Sequence, residues 1–92
     1  MLDYSVIVPV YNSEETLEEL FKRLSAVFNE IKSTFEVIFV EDGGTDNSWD
    51  TLTKMKNDFP NQIIAIKLNK NFGQHNATMC GFTFAKGKRI LT

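Results

Sequence analysis

Three stretches of this chain hold residue types able to do chemistry. They are Pro9-Val10-Tyr11-Asn12, the run Glu41-Asp42-Gly43-Gly44-Thr45-Asp46-Asn47-Ser48, and Asn69-Lys70-Asn71-Phe72-Gly73-Gln74. Asp42 offers a carboxylate that can accept N–H groups from the edge of a nucleotide base, and Tyr11 offers a ring on which a base can stack. Other chemistries are poorly supplied. His75 is the sole histidine and Cys80 the sole cysteine. A His/Cys zinc set and an internal disulfide are therefore both excluded. A lone thiol fits a reducing compartment, so a cytoplasmic location is expected. The formal charge of −2 gives no electrostatic footprint for nucleic acid or an anionic membrane. No apolar run approaches the ~18 residues that span a bilayer.

The elements that must position these stretches follow from the hydrophobic pattern. Tyr4–Val10 and Phe35–Val40 are short, β-branched and apolar at successive positions, as expected of strands covered on both faces of a parallel sheet. Gln62–Leu68 reads as a third strand, and Lys88–Thr92 opens a fourth. Leu17, Leu20, Phe21, Leu24, Val27, Phe28 and Ile31 recur at helical spacing. Asn12 and Glu15 have capping-box spacing ahead of that helix. Trp49, Leu52, Met55 and Phe59 mark a second helix, stopped by Pro60. A third presents Ala77, Cys80, Gly81, Phe84 and Ala85 on one face, small enough to lie close to a sheet, with Gly87 as its cap. The order β-α-β-α-β-α-β implies an α/β, doubly wound, Rossmann-like parallel sheet in a single domain over residues 1–92.

In such sheets ligands bind at the carboxyl ends of the strands, where all three polar stretches fall. The opposite-end loop Asn57–Asn61 holds only ordinary turn residues. A nucleotide is the default ligand, yet the commonest nucleotide sites are missing. Val10-Tyr11-Asn12-Ser13 follows the first strand without a glycine, so neither a dinucleotide fingerprint nor a P-loop is present. A phosphoacceptor receiver needs acids after strand one and an Asp after strand three; Tyr-Asn and Asn-Lys stand there instead.

Val6-Ile-Val-Pro-Val-Tyr-Asn-Ser-Glu-Glu-Thr-Leu17, Val40-Glu-Asp-Gly-Gly-Thr-Asp-Asn-Ser48 and Asn71-Phe-Gly73 with Ala77 and Gly81 occur in order across nearly the whole chain. Together these blocks resemble the family 2 glycosyltransferases of the GT-A fold. Leu68-Asn-Lys-Asn-Phe-Gly-Gln74 looks most like the branch that transfers sugars to polyprenyl phosphates. The resemblance implies a nucleotide-diphosphate-sugar donor, from UDP or GDP, bound by this N-terminal half of the domain. It implies that Pro9 and Tyr11 flank the base and that Asp42 bonds its edge. Glu14 would approach the ribose or phosphates, Lys70 and Asn71 would lie along the donor, and Gly73 would permit close backbone approach. The divalent metal (Mg²⁺ or Mn²⁺) is held in the family by an Asp-x-Asp motif following a strand like Arg89–Thr92. No metal ligand and no catalytic residue is therefore assigned within this chain. Gly44 replaces the family's usual Ser, removing one hydroxyl.

Plain structural readings stand beside these. Asp42 also suits a turn ahead of two glycines, Tyr11 a strand end, and Glu14 a helix N-terminus. Lys70 suits a solvated loop, and Asn71 with Gly73 a tight one. Cys80 and Trp49 suit a core. Ending inside an apolar strand suggests a truncated piece of a longer chain, with an open sheet edge that self-associates. The parent is expected to transfer sugar to a polyprenyl phosphate or a growing cell-surface glycan, at the inner face of the membrane. The alternative is a non-catalytic nucleotide-binding or assembly module.

Overall fold

The computed structural model describes residues 2–10, 15–42, 47–68, 81 and 83–91. Four strands, β1 (Tyr4–Val10), β2 (Phe35–Asp42), β3 (Ile63–Leu68) and β4 (Arg89–Leu91), form one sheet in the order β3-β2-β1-β4. Every pairing is parallel. Helix α1 (Leu17–Glu30) crosses from β1 to β2, and α2 (Ser48–Asp58) from β2 to β3. Residues 81, 83 and 84 are helical ahead of β4. The doubly wound parallel sheet is as the pattern implies.

Strand alternation divides the core in two. Val6, Val10, Phe35, Val37, Phe39 and Ile63 share one face and pack with Leu17, Phe21, Phe28, Leu52 and Met55 of the two helices. Ile7, Ile38 and Val40 share the other, joined by the partly buried Ile64, Ile66, Leu68 and Ala85. Aromatic rings thread the first layer. Phe28 stacks on Phe35 at 4.8 Å and meets Tyr4 at 5.1 Å, while Phe21 lies 6.1 Å from Phe35 and 4.8 Å from Phe59. On the second face Gly81 sits where an added Cβ would strike Ile7 Cγ2. The small-residue face expected of the third helix thus does what it was read to do at that position.

Several expectations need correction. Helix α1 starts at Leu17 with Thr16 as N-cap and no side-chain cap bond, so Glu15 precedes the helix and the Asn12–Glu15 box does not set its start. Strand β2 continues two residues further than its apolar run, through Glu41 and Asp42. Val27 and Ile31 are 53% and 52% exposed. Neither joins Leu17, Phe21 and Phe28 on the buried face of α1, and Ile31 is its C-cap. Phe59 is the C-cap of α2 and 44% exposed, and Phe84 is 47% exposed, so neither completes a buried helix face. Gly87 acts through space and not as a left-handed cap: a Cβ there would lie 2.5 Å from the Ser5 nitrogen and the Tyr4 carbonyl carbon.

Candidate nucleotide site at the strand carboxyl ends

Parallel pairing brings the carboxyl ends of β1, β2 and β3 to one edge. The register sets Pro9 beside Val40, Val10 beside Glu41, Glu41 beside Lys67 and Asp42 beside Leu68. Alternation therefore puts positions 9, 40, 42 and 68 on one face, the face away from α1 and α2. Pro9 and Asp42 occupy adjacent strands there, two residues apart in register. Of the residues singled out in the sequence, these two positions are brought together. Pro9 is half-buried. Tyr11, Glu14, Lys70, Asn71 and Gly73 lie outside the described residues, as does the side chain of Asp42.

Among the described residues β1 pairs with β2 from Tyr4 to Val10 and with β4 from Tyr4 to Val6. Proline lacks the N–H a ladder needs, and Pro9 stands next to the last residue of β1. β1 is where the strand order turns, with β2 and β3 on one side and β4 on the other. A reversal of this kind opens a crevice at the carboxyl ends.

On the opposite face of the same edge stands Glu41, which the sequence reading placed in the second polar stretch without a role of its own. Its side chain is 2% exposed, and Ser48, the first residue of α2, is fully buried. The signal was available: Phe35, Val37 and Phe39 alternate into the core, and position 41 continues that phase. Lys67, its register partner, carries Nζ 5.7 Å from the ring centroid of Trp49. Trp49 is half-buried and packed against the core.

A cavity of about 520 Å³ lies elsewhere, between α1 and α2. Phe21, Met55 and Phe59 form its apolar walls, with Lys22, Lys54, Glu18 and Asp58 around them. It is a groove between packed helices, remote from the loops that follow the strands, and its charges do not converge on a point. The carboxyl edge is the better candidate on chemistry. Among the described residues, no group of three His, Cys, Asp or Glu side chains could hold a metal. None of their helices is long and apolar enough to cross a membrane.

An open, all-parallel sheet in the order 3-2-1-4, with helices between its strands, defines a doubly wound α/β domain. The chain belongs to glycosyl transferase family 2, which it matches over residues 5–92. It is 44% identical over 88 residues to the undecaprenyl-phosphate 4-deoxy-4-formamido-L-arabinose transferase of Yersinia pestis, an alignment covering 96% of this chain and 27% of that protein. The Yersinia pseudotuberculosis protein of the same name matches to the same extent. The chain thus spans about a quarter of the length of these curated relatives. Among solved structures, a mannosyltransferase from Pyrobaculum calidifontis, in complex with GDP-Man and Mn²⁺, superposes with a TM-score of 0.80 at 20% identity. That match covers 98% of this chain and 28% of the other, and it speaks to the fold. TarS 1-349 of S. aureus gives 0.79 at 29% identity, over 99% of this chain and 27% of its own.

Proposed function

We propose that residues 1–92 form the donor-binding half of a glycosyltransferase that moves a sugar from a UDP- or GDP-sugar to a polyprenyl phosphate. The juxtaposition of Pro9 and Asp42 on one face of the carboxyl edge, at the strand where the sheet order reverses, carries this reading. Membership of the family supports it. In this reading Pro9 and Tyr11 flank the base, Asp42 accepts from its edge, and Glu14 reaches the ribose or phosphates. Lys70 and Asn71 lie along the donor, and Gly73 leaves room for it.

The 44% identical relatives are transferases named for undecaprenyl phosphate, which supports a lipid-phosphate acceptor over a glycan. Such an acceptor arrives ionised and needs little from a general base. Its phosphate oxygen attacks the anomeric carbon in line, the bond to the nucleoside diphosphate breaks, and configuration inverts. A divalent cation, Mg²⁺ or Mn²⁺, would take the charge on the departing diphosphate. Its ligands are assigned outside these 92 residues, so the chain alone binds donor without turning it over. The complete protein works at the cytoplasmic face of the membrane.

Calorimetric titration of the chain with UDP and GDP, with and without Mn²⁺, tests the reading. One nucleotide is expected to bind independently of metal, and Asp42→Ala to weaken it by about tenfold or more, since a lost hydrogen bond to a charged group costs ~1.5–3 kcal/mol. Binding unchanged by Asp42→Ala would remove the base pocket from this edge.

The alternative, an assembly module without catalysis, draws on one observation. β4 is an uncovered edge strand, with Ile90 and Leu91 41% and 44% exposed. Pairing of that edge with a second copy is compatible with donor binding at the carboxyl ends of β1 and β2.

A further inference from the structure

Glu36 is a carboxylate only 3% exposed, set in β2 on the second face of the sheet. Its Oε2 accepts a hydrogen bond from the Ser5 hydroxyl at 2.6 Å and another from the Lys86 backbone N–H at 2.7 Å. The Ser5 Oγ in turn accepts the Gly87 N–H at 2.7 Å. One acid and one hydroxyl thereby join β1, β2 and the turn that leads into β4, across sequence separations of 31, 50 and 82 residues. The turn is pressed against β1. A Cβ on Gly87 would stand 2.7 Å from the Ser5 Oγ as well as against the backbone of Tyr4 and Ser5.

The ladder to β4 begins immediately beyond this clasp. Lys88 N–H donates to the Leu2 carbonyl at 3.1 Å and Arg89 N–H to the Asp3 carbonyl at 3.0 Å. β4 itself has three residues, all exposed. Hydrogen bonds to a buried carboxyl group are strong, and these tie the turn ahead of β4 to both β1 and β2. β4 also runs parallel to β1, so whatever follows Leu91 heads for the edge that holds Pro9 and Asp42.

We infer that Glu36 is a positioning residue: with Ser5 and Gly87 it fixes the register of β4 on β1, and through it the width of the crevice beside Pro9. The link from register to crevice rests on the reading proposed above; the clasp itself does not. Amide hydrogen exchange on the 92-residue chain, followed residue by residue, tests it. Glu36→Leu is expected to speed exchange at Lys88 and Arg89 by about tenfold or more while the amides of Val37, Ile38 and Phe39 keep their protection. Glu36→Gln, whose amide oxygen can accept both bonds, is expected to restore it. Unchanged exchange at Lys88 and Arg89, equal exchange in the Gln and Leu variants, or equal loss throughout β1–β3 would each overturn the proposal. Should Glu36→Leu fail to fold, Ser5→Ala decides, since it removes the bridging hydroxyl with little change in volume. Protection lost at Gly87 and Lys88 alone supports the clasp, and protection kept there sinks it. Nucleotide titration is a separate readout, so failure of the base pocket and failure of the clasp cannot be confused.

Discussion

Asp3 and Thr34 tie the amino ends of β1 and β2 together with three hydrogen bonds. Asp3 Oδ2 accepts from the Thr34 N–H and hydroxyl at 2.9 and 3.1 Å, and the Thr34 Oγ1 accepts the Asp3 N–H at 3.0 Å. These bonds, the backbone one foremost, hold the Asp3 carboxyl below the ordinary aspartate value, with the nearby Lys88 charge adding to them. A depressed carboxylate contributes stability above its unfolded pKa of ~3.9 and loses it as pH falls through the lower folded value. Carboxyl NMR titration should therefore find Asp3 titrating below an unperturbed aspartate, and Thr34→Ala should move it back up. Gly81→Ala should cost about 1–3 kcal/mol in urea unfolding, because the new methyl meets the buried Ile7 side chain. At this scale sequence reading was uneven. Pro9 and Asp42 stood out because a proline and an Asp-Gly pair at strand ends carry local meaning. Glu36 did not. An acid inside an apolar run shows in the sequence, but its partners lie 31 and 50 residues away, and no local pattern records them.

Helix α1 ends in a Schellman turn. Ser33 N–H donates to the Phe28 carbonyl at 3.0 Å and Lys32 N–H to the Asn29 carbonyl at 3.2 Å. The left-handed position of this motif is normally glycine. Here it is Lys32, at φ 56°. Lys32→Gly should raise stability by about 0.5–1 kcal/mol, measurable as a higher urea midpoint at unchanged slope: it relieves ~1–2 kcal/mol of left-handed strain, partly offset by glycine's greater unfolded-state freedom. Element types were legible throughout the described chain, and β1 was legible to the residue, because period and composition are local properties. Boundaries were less so. Strand β2 runs on through Glu41 and Asp42 because β3 offers partners as far as Lys67 and Leu68, and pairing outweighs the turn character of two acids. The apolar positions Val27 and Ile31 continue the helical spacing but are exposed, because which apolar positions of a helix are buried is decided by tertiary packing.

At the scale of the whole molecule, β4 forms one border of the described sheet, with Ile90 and Leu91 exposed. Lys86, Lys88 and Arg89 lie at the same border and are exposed. If two copies pair there, like charges are brought together, so association should strengthen with added salt and weaken with Leu91→Lys. Sedimentation velocity across a concentration and salt series measures this, and a monomer at all concentrations would exclude edge pairing. The fold class could be read from the sequence because the order of strands and helices, together with right-handed crossovers, leaves few topologies. The carboxyl edge was legible as a place, because parallel strands with crossover helices set it, whereas Tyr11, Glu14, Lys70, Asn71 and Gly73 lie outside the described residues. The Glu36 clasp has a further meaning for the order of assembly. A ribosome adds ~5–20 residues per second, so the chain makes Ser5 and Glu36 seconds before Lys86 and Gly87 exist. β1, β2 and β3 can pair during that interval, but the Glu36 carboxylate keeps its water until the turn arrives. Closing of the sheet over that one acid therefore waits for Lys86 and Gly87, although the two strands that carry Ser5 and Glu36 are already made.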